Sequence, residues 1–249
     1  MKQKAMRKLR AMTFIELIVV LAVISVLVAM LLPAMMPAKQ RSNYLTCDSN
    51  LKEIGTANRL WSADNGDLPP SQQTMKKGGW SDLLTNANQG ALCCTNYAIM
   101  ANELGQFPKV VICPVDVRHA ASSFSNHFDN THVSYFIGVC ANDTFPQAIM
   151  GGDRNLGPGT KPDPDYGFSP KSGKGNDVIV PISSPVSWSL KVHSAGNPAG
   201  AGTILLGDGS EEPASTAILN QLFMPNAQGT NNWPAGQVPA TPSIRLVFP

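Results

Sequence analysis

The chain opens with a long apolar run, which gives way first to a periodic pattern and then to short apolar segments. Between Met12 and Met36, 25 residues include only three hydrophilic side chains, those of Thr13, Glu16 and Ser25. As an α-helix this run would rise about 37 Å, compared with about 30 Å for the hydrocarbon core of a bilayer. The pattern therefore predicts a transmembrane helix over residues 12–36.

Beyond this run, apolar residues recur at intervals of three and four, which is typical of one face of a helix. They are Tyr44, Cys47, Leu51, Ile54, Ala57 and Trp61. Asn65 and Gly66, followed by two prolines, form a stop signal. The spacing thus predicts an amphipathic continuation of the first helix over residues 37–66.

The remaining residues, 67–249, have the composition of a loop-rich β domain. They contain 19 glycines and 18 prolines in 183 residues, more than the usual share of about 12%. Runs bounded by turn residues predict strands at Val110–Cys113, Val133–Val139, Val178–Ile182, Val186–Val192, Thr203–Leu206 and Ile244–Phe248. A short helix is expected at Ser215–Phe223 and a long surface loop at Gly151–Asn176.

The predicted fold class is therefore α+β. We expect a long N-terminal helix, with a transmembrane half and an amphipathic half, that packs on a loop-rich antiparallel β head.

The basic residues are concentrated at the N-terminus. Five of the 19 lie in the first ten positions, and the rest of the chain has 14 basic against 17 acidic side chains. Nucleic acid is not expected as a partner, because phosphate binding needs a clustered basic surface. The positive-inside rule predicts a single-pass inner-membrane protein with a cytoplasmic N-terminus and a periplasmic C-terminal head.

Glu16 is unusual because it lies near the start of the apolar run. A carboxylate inside a spanning helix usually has a partner, and no Lys, Arg or His occurs between Met12 and Ala38. Cleavage between Ala11 and Met12 would create an α-ammonium four residues before Glu16, in the same chain or in a neighbouring copy. A secretory signal peptide fits less well, because the small-x-small cleavage pattern is missing.

The run from Ala11 to Glu16, with basic residues before it and a long apolar helix after it, resembles type IV prepilins and type II secretion pseudopilins. The resemblance implies that prepilin peptidase removes a basic leader, residues 1–11, and methylates the new amine of Met12. It also implies that Glu16 guides assembly and that Pro33 kinks the helix. Ala11 stands where the family usually has glycine, so slower processing is expected.

By this resemblance, the chain is a structural subunit of a type II secretion pseudopilus that supports protein export. The implied partners are the inner membrane, copies of itself, other pseudopilins and the peptidase. The alternatives are a type IV pilus subunit, or a membrane-anchored head that binds a ligand or hydrolyses a substrate. No enzymatic activity is predicted, because nucleophile-elbow, P-loop and dinucleotide motifs are absent.

The five cysteines show no C-x-x-C spacing; they are Cys47, Cys93, Cys94, Cys113 and Cys140. One or two disulfides are predicted, with buried thiols as the alternative and the pairing left open. A bond between the vicinal Cys93 and Cys94 is not expected, because that ring is strained.

The sequence offers two candidate metal sites. Cys113, Asp116 and His119, with His127 and His132 nearby, have zinc-binding side chains, but a disulfided turn after a strand is favoured. Major pseudopilins often hold calcium in the head, so the resemblance implies a possible calcium site. Its candidate ligands are Asp208, Glu211 and Glu212, or Asp153, Asp163 and Asp165. No other cofactor is predicted.

Three tryptophans of the head offer a candidate carbohydrate platform. They are Trp80, Trp188 and Trp233. Large aromatic side chains in a β domain more often lie in the core, which is the favoured interpretation.

Overall fold

The computed structural model of the chain describes residues 12–85, 92–194, 197, 199–223 and 242–249, without the side chains of 31–38, 40, 85 and 92. The chain divides into two compact units, one that ends at Ser42 and one that runs from Asn43 to Pro249. The first helix, α1, spans Phe14–Asp64 and contributes to both units.

The predicted transmembrane helix over residues 12–36 is wrong. Within the described part of the chain, none of the helices is both long and apolar enough to cross a bilayer. The predicted single-pass inner-membrane protein, with a cytoplasmic N-terminus and a periplasmic head, is wrong for the same reason.

The expectation that one long helix packs as a whole on a β head is also wrong. Residues up to Ser42 form a unit of their own, and only the part of α1 from Asn43 to Asp64 belongs to the second unit. In that part the apolar positions with helical spacing are buried, namely Cys47, Leu51, Ile54, Ala57 and Trp61. The periodic pattern thus identified the packed face of this segment.

The second unit has an α+β fold built on a six-stranded antiparallel sheet of order β4-β8-β1-β2-β6-β7. The strands are β1 Tyr135–Gly138, β2 Ile149–Asp153, β3 Leu156–Pro158, β4 Asn176–Pro181, β5 Val186–Trp188, β6 Gly202–Leu206, β7 Glu211–Ala214 and β8 Ser243–Phe248. β3 and β5 form a separate antiparallel pair. Two further helices are α2 Leu92–Ile99 and α3 Thr216–Leu222.

The four central strands of the sheet, β8, β1, β2 and β6, are buried on both faces, whereas the edge strands β4 and β7 are partly exposed. Alternate residues of a strand point to opposite faces, and in β6 Leu205 joins the core that contains the Asn43–Asp64 part of α1. Ile204 and Leu206 join a second core with α3, β3 and β5. Burial on both faces explains why the strands read as continuous apolar runs rather than as alternating patterns.

Five of the six predicted strands are confirmed in part or in full, and the predicted helix at Ser215–Phe223 is confirmed as α3. The exception is Val110–Cys113, because Pro108 begins a short 3-10 helix, Pro108–Val111, over part of that run. The predicted loop Gly151–Asn176 instead contains the end of β2 and all of β3.

Candidate functional site

Four side chains that can bind metals come together in the interior of the second unit. They are Cys47 of α1, Cys113 after the Pro108–Val111 turn, Asp153 at the end of β2, and His193 in the 3-10 turn Val192–Ser194. We call them the Cys–Asp–His cluster. Their ligand atoms lie within 4.8 Å of one another, and within the described residues no other such group of three or more is found.

The two cysteines of the cluster are joined to each other. Cys47 and Cys113 form a disulfide across a sequence separation of 66 residues. The Cys113 Sγ lies 3.4 Å from the Nε2 of His193. The Cys47–Cys113 disulfide fixes α1 to the segment that follows the Pro108–Val111 turn.

The other three cysteines, Cys93, Cys94 and Cys140, are buried and are not joined by disulfides. Burial raises the pKa of the Cys93 and Cys94 thiols and raises the pKa of Cys140 to about 11. Neutral buried thiols are poor nucleophiles and poor metal ligands. These cysteines therefore act as small core residues.

Asp153 is the most unusual member of the cluster. Its side chain is fully buried, and its Oδ2 accepts a hydrogen bond of 2.8 Å from the Thr203 backbone N–H. Oδ1 is buried, and no described residue gives it a hydrogen bond. Burial raises the pKa of Asp153 to about 8 and lowers the pKa of His193 to about 4. The 3.5 Å contact between Oδ2 and the His193 Nε2 is therefore not a pair of opposite charges.

The turn that carries His193 is held by its surroundings. Val192 has a φ of 58°, a left-handed conformation that is strained for a β-branched residue. The Asn155 Nδ2 donates hydrogen bonds of 2.9 Å to the carbonyls of Lys191 and Ala201. The Tyr44 ring packs edge-on against the imidazole, with the ring centroids 4.6 Å apart. These contacts fix the position of the imidazole.

Of the residues considered for zinc in the sequence, only Cys113 lies in the cluster. The Asp116 carboxylate is bonded to Arg154 at 2.6 and 2.8 Å. His119 and His127 are exposed, and His132 contacts Asp129 at 3.0 Å. Cys47 and His193, which the zinc hypothesis missed, are 66 and 80 residues from Cys113, so no local spacing points to them.

The acidic residues considered for calcium near β7 already have contacts within the protein. The Asp208 Oδ1 accepts a hydrogen bond of 2.9 Å from the Ser210 backbone N–H, and the bonds from Ser210 lower the pKa of Asp208. Glu211 pairs with Lys52 at 3.4 Å, and Glu212 lies beside it on β7. Calcium binding by Asp208, Glu211 and Glu212 stays a prediction.

Of the second set of acids, Asp153 belongs to the Cys–Asp–His cluster, whereas Asp165 lines a cleft of about 540 Å³ together with Val117, Arg118, His119, Thr131, His132, Arg154, Tyr166, Lys171 and Lys191. Asp165 pairs with Lys171 at 2.7 Å, and its backbone N–H donates to the Asp163 Oδ1 at 2.6 Å. Arg118 donates to four main-chain oxygens, those of Asn130, Val133, Pro170 and Pro249. In this cleft Arg118 and Lys171 thus have partners within the protein, whereas the Asp165 Oδ1 is buried without a hydrogen-bond partner among the described residues.

Glu16 caps the helix in which it lies. Its Oε2 accepts hydrogen bonds from the backbone N–H and the hydroxyl of Thr13, at 2.8 and 2.9 Å. The Glu16 backbone N–H donates in return to the Thr13 hydroxyl at 3.4 Å. This reciprocal pattern is a capping box. The Thr-x-x-Glu sequence of residues 13–16 is its signature, which a search for a cationic partner overlooks.

The first unit exposes a continuous apolar surface. Every large apolar side chain from Phe14 to Met30 is exposed, with fractions between 45% and 78%. Beside Glu16 lies a shallow groove of about 460 Å³, lined by Met12, Ile15, Val19 and Val20. Ala11, the leader and the side chain of Pro33 lie outside the described residues.

Two of the three tryptophans considered for glycan binding are core residues. Trp80 and Trp188 are fully buried, and their indole N–H groups donate to the Asn96 side chain and to the Ala214 carbonyl. Trp233 lies outside the described residues.

Comparison with known proteins adds no family to these observations. No protein-family model, curated protein or solved structure matches the chain.

Proposed function

We propose that the chain is a pilin-like subunit that assembles through its N-terminal helix into a short pseudopilus supporting protein export. In this proposal prepilin peptidase cuts after Ala11 and methylates the new amine of Met12. The role is mechanical rather than catalytic. The partners are other copies of the chain and related pseudopilins.

The observation that carries the proposal is the exposed apolar surface of residues 14–30. A helix that is apolar on all sides needs cover on all sides, and exposed apolar patches of this kind mark interaction surfaces. Parallel packing of several copies of the same helix would bury this surface, as the core of a filament requires.

The groove beside Glu16 supports a specific contact between two copies. Both hydrogen bonds from Thr13 are made to Oε2, which leaves the second carboxylate oxygen for another donor. A neighbouring chain that begins at Met12 would offer an ammonium group next to an apolar side chain. That combination matches a carboxylate next to an apolar groove, and the pairing would set the axial register of the copies.

The test separates the charge of Glu16 from its role in the cap. Glu16→Gln removes the charge but keeps a residue that completes a capping box, whereas Thr13→Ala weakens the cap and keeps the charge. Glu53→Gln, at an exposed position of the same helix, is the matched control. The chain is produced in cells with active prepilin peptidase, and filaments are collected by shearing and ultracentrifugation.

We expect wild type, Thr13→Ala and Glu53→Gln in the filament fraction, each beginning at a methylated Met12 by mass spectrometry. Glu16→Gln should be cleaved but not assembled. Normal filaments from Glu16→Gln would refute the proposed pairing. Retention of residues 1–11 by the wild type would refute the assignment to this class of subunit.

A further inference from the structure

The Cys–Asp–His cluster has the properties of a metal site rather than of an ordinary disulfide in a core. Cys47 and Cys113 are fully buried, and the side chains of Asp153 and His193 are 0% and 3% exposed. A disulfide needs no polar neighbours, whereas here an imidazole and a carboxyl group approach the sulfur atoms. Buried polar groups are costly unless they have partners.

The buried Asp153 Oδ1 gives an independent reason to look for a ligand. Among the residues that the structure describes, this oxygen has no hydrogen-bond partner. The adjacent cation, Arg154, does not serve Asp153, because its guanidinium is bonded to Asp116 at 2.6 and 2.8 Å. Among the described residues, the protein therefore supplies this buried oxygen with neither a donor nor a cation, and it belongs to a carboxyl group that has an oxygen within 4.8 Å of the other three ligand atoms.

The donor set selects the class of metal. Two sulfurs, one imidazole nitrogen and one carboxylate oxygen form the mixed four-ligand set that suits zinc and chemically similar divalent ions. Sulfur ligands disfavour calcium and magnesium, which prefer oxygen. Two thiolates and a carboxylate carry three negative charges, which more than neutralise a divalent cation.

We propose that the reduced protein binds one zinc-class divalent ion through the Cys47 and Cys113 Sγ atoms, the Asp153 carboxylate and the His193 Nε2. The disulfide and the metal-bound form are alternative states of the same two sulfurs. The cluster therefore couples metal binding to the redox state of the protein.

Two molecules of a small thiol reduce the Cys47–Cys113 disulfide, which yields two protein thiols and one disulfide of the reductant. The ion then displaces the two thiol protons, and the proton of the Asp153 carboxyl where it is present, into solvent. Reoxidation requires loss of the ion and removal of two electrons by a disulfide-class oxidant.

The surroundings of the cluster are those expected of a second layer of support for a metal site. The Thr203 backbone N–H holds the Asp153 Oδ2 at 2.8 Å, which orients Oδ1 as the remaining acceptor. Asn155 holds the carbonyl of Lys191 at 2.9 Å, next to the turn that carries His193. Both supports act through backbone atoms and do not depend on the state of the sulfurs.

The experiment measures metal binding by the full chain in its two redox states. The protein is reduced anaerobically with a water-soluble phosphine, desalted, and titrated with Zn²⁺ or Co²⁺. We expect one equivalent of zinc per reduced chain by elemental analysis and none per oxidised chain. The Co²⁺ form should show the intense visible bands of a tetrahedral site and a sulfur-to-cobalt charge-transfer band.

Variants test the four ligands. His193→Gln and Asp153→Asn should each weaken zinc binding by about 100-fold or more. The controls are His119→Ala and Asp143→Asn, both at exposed positions, and they should bind like the wild type. His119 also belongs to the zinc set considered from the sequence, so its substitution separates the two hypotheses.

X-ray absorption of the wild-type zinc form keeps the test decisive if a variant does not fold. Two sulfurs at about 2.3 Å and two nitrogen or oxygen atoms at about 2.0–2.2 Å are expected. Failure of the reduced wild type to bind zinc would overturn the proposal. Fewer than two sulfurs around the ion, or full affinity in folded Asp153→Asn and His193→Gln, would overturn it as well.

Discussion

Replacing Asp116 by asparagine should strongly destabilise the second unit. Arg154 donates from Nε and Nη2 to the two carboxylate oxygens of Asp116 at 2.6 and 2.8 Å. The two side chains are only 2% and 0% exposed. Asparagine keeps the shape and one acceptor but removes the charge, so the variant leaves a buried guanidinium without its counter-ion.

The expected magnitude follows from that burial. Removing one partner of a buried ion pair costs about 3–5 kcal/mol, because the other charge remains uncompensated. Stacking of the Arg154 guanidinium over the Tyr166 ring, at 3.6 Å from the centroid, replaces only part of the loss. In a chain of this size, about 2–4 °C of melting temperature is lost per kcal/mol. We therefore expect a fall of roughly 6–20 °C.

The same pair predicts a dependence on pH. Burial alone would raise the pKa of Asp116, but the hydrogen bonds and the charge of Arg154 more than offset it, so its pKa lies below the ordinary value of 3.8. A carboxyl whose pKa is lower in the folded state stabilises the fold above its unfolded pKa. That contribution is lost as the pH falls below 3.8 and through the folded pKa, and Asp116→Asn should lack it.

Urea unfolding followed by circular dichroism, at pH 7 and at steps below pH 4, measures both effects. Asp143→Asn is the control, because Asp143 is 67% exposed and contacts Arg59 at 3.5 Å; it should change stability by less than about 0.5 kcal/mol. A loss below about 1 kcal/mol for Asp116→Asn, or an unchanged acid dependence, would show that the pair contributes little.

Three further substitutions test local features by their effect on thermal unfolding. In Gly138→Ala the new Cβ would lie 1.8 Å from the Ile149 carbonyl oxygen, so a loss of more than about 3 kcal/mol is expected. Asn155→Ala leaves buried carbonyls without their donor and should cost at least about 2 kcal/mol. Ser215→Ala removes the cap that accepts from the Ile218 backbone N–H and should cost about 1 kcal/mol. Losses near zero would show that these contacts are not needed.

The sequence predicted local elements well where one physical signal dominated. The three- and four-residue spacing from Cys47 to Trp61 identified a buried helical face, and the short apolar runs located β4, β6 and β8. Pro108 and Val110 show the opposite case: the apolar run suggested a strand, but the proline begins a 3-10 turn.

The cluster could not be predicted, because its members are brought together only by the tertiary fold. Cys47 and Cys113 are 66 residues apart, and His193 lies a further 80 residues along the chain. Asp153 was considered only as an exposed calcium ligand, whereas it is buried at the end of a central strand. Hydrophobic periodicity locates faces of elements and does not show which polar residues will meet behind them.

The cluster also predicts an order of stability for three forms of the protein. A disulfide that closes a loop of 66 residues stabilises by about 4 kcal/mol in the chain-entropy model. A bound ion at 1,000 times its dissociation constant would stabilise the reduced form by a similar amount, about 4 kcal/mol. The reduced form without metal should therefore be the least stable.

Unfolding curves of the oxidised, the reduced and the reduced zinc-loaded protein check this order. The Cys47→Ser/Cys113→Ser double variant, which has neither cross-link, should resemble the reduced form without metal and should not respond to zinc. Recovery of stability by zinc in this variant would mean that the ion binds elsewhere. Equal stability of reduced wild type with and without zinc would mean that only the disulfide holds α1 at this point. The disulfide cannot form under reducing conditions. Any stability that reduced wild type gains on adding zinc therefore reports on metal binding by the cluster itself.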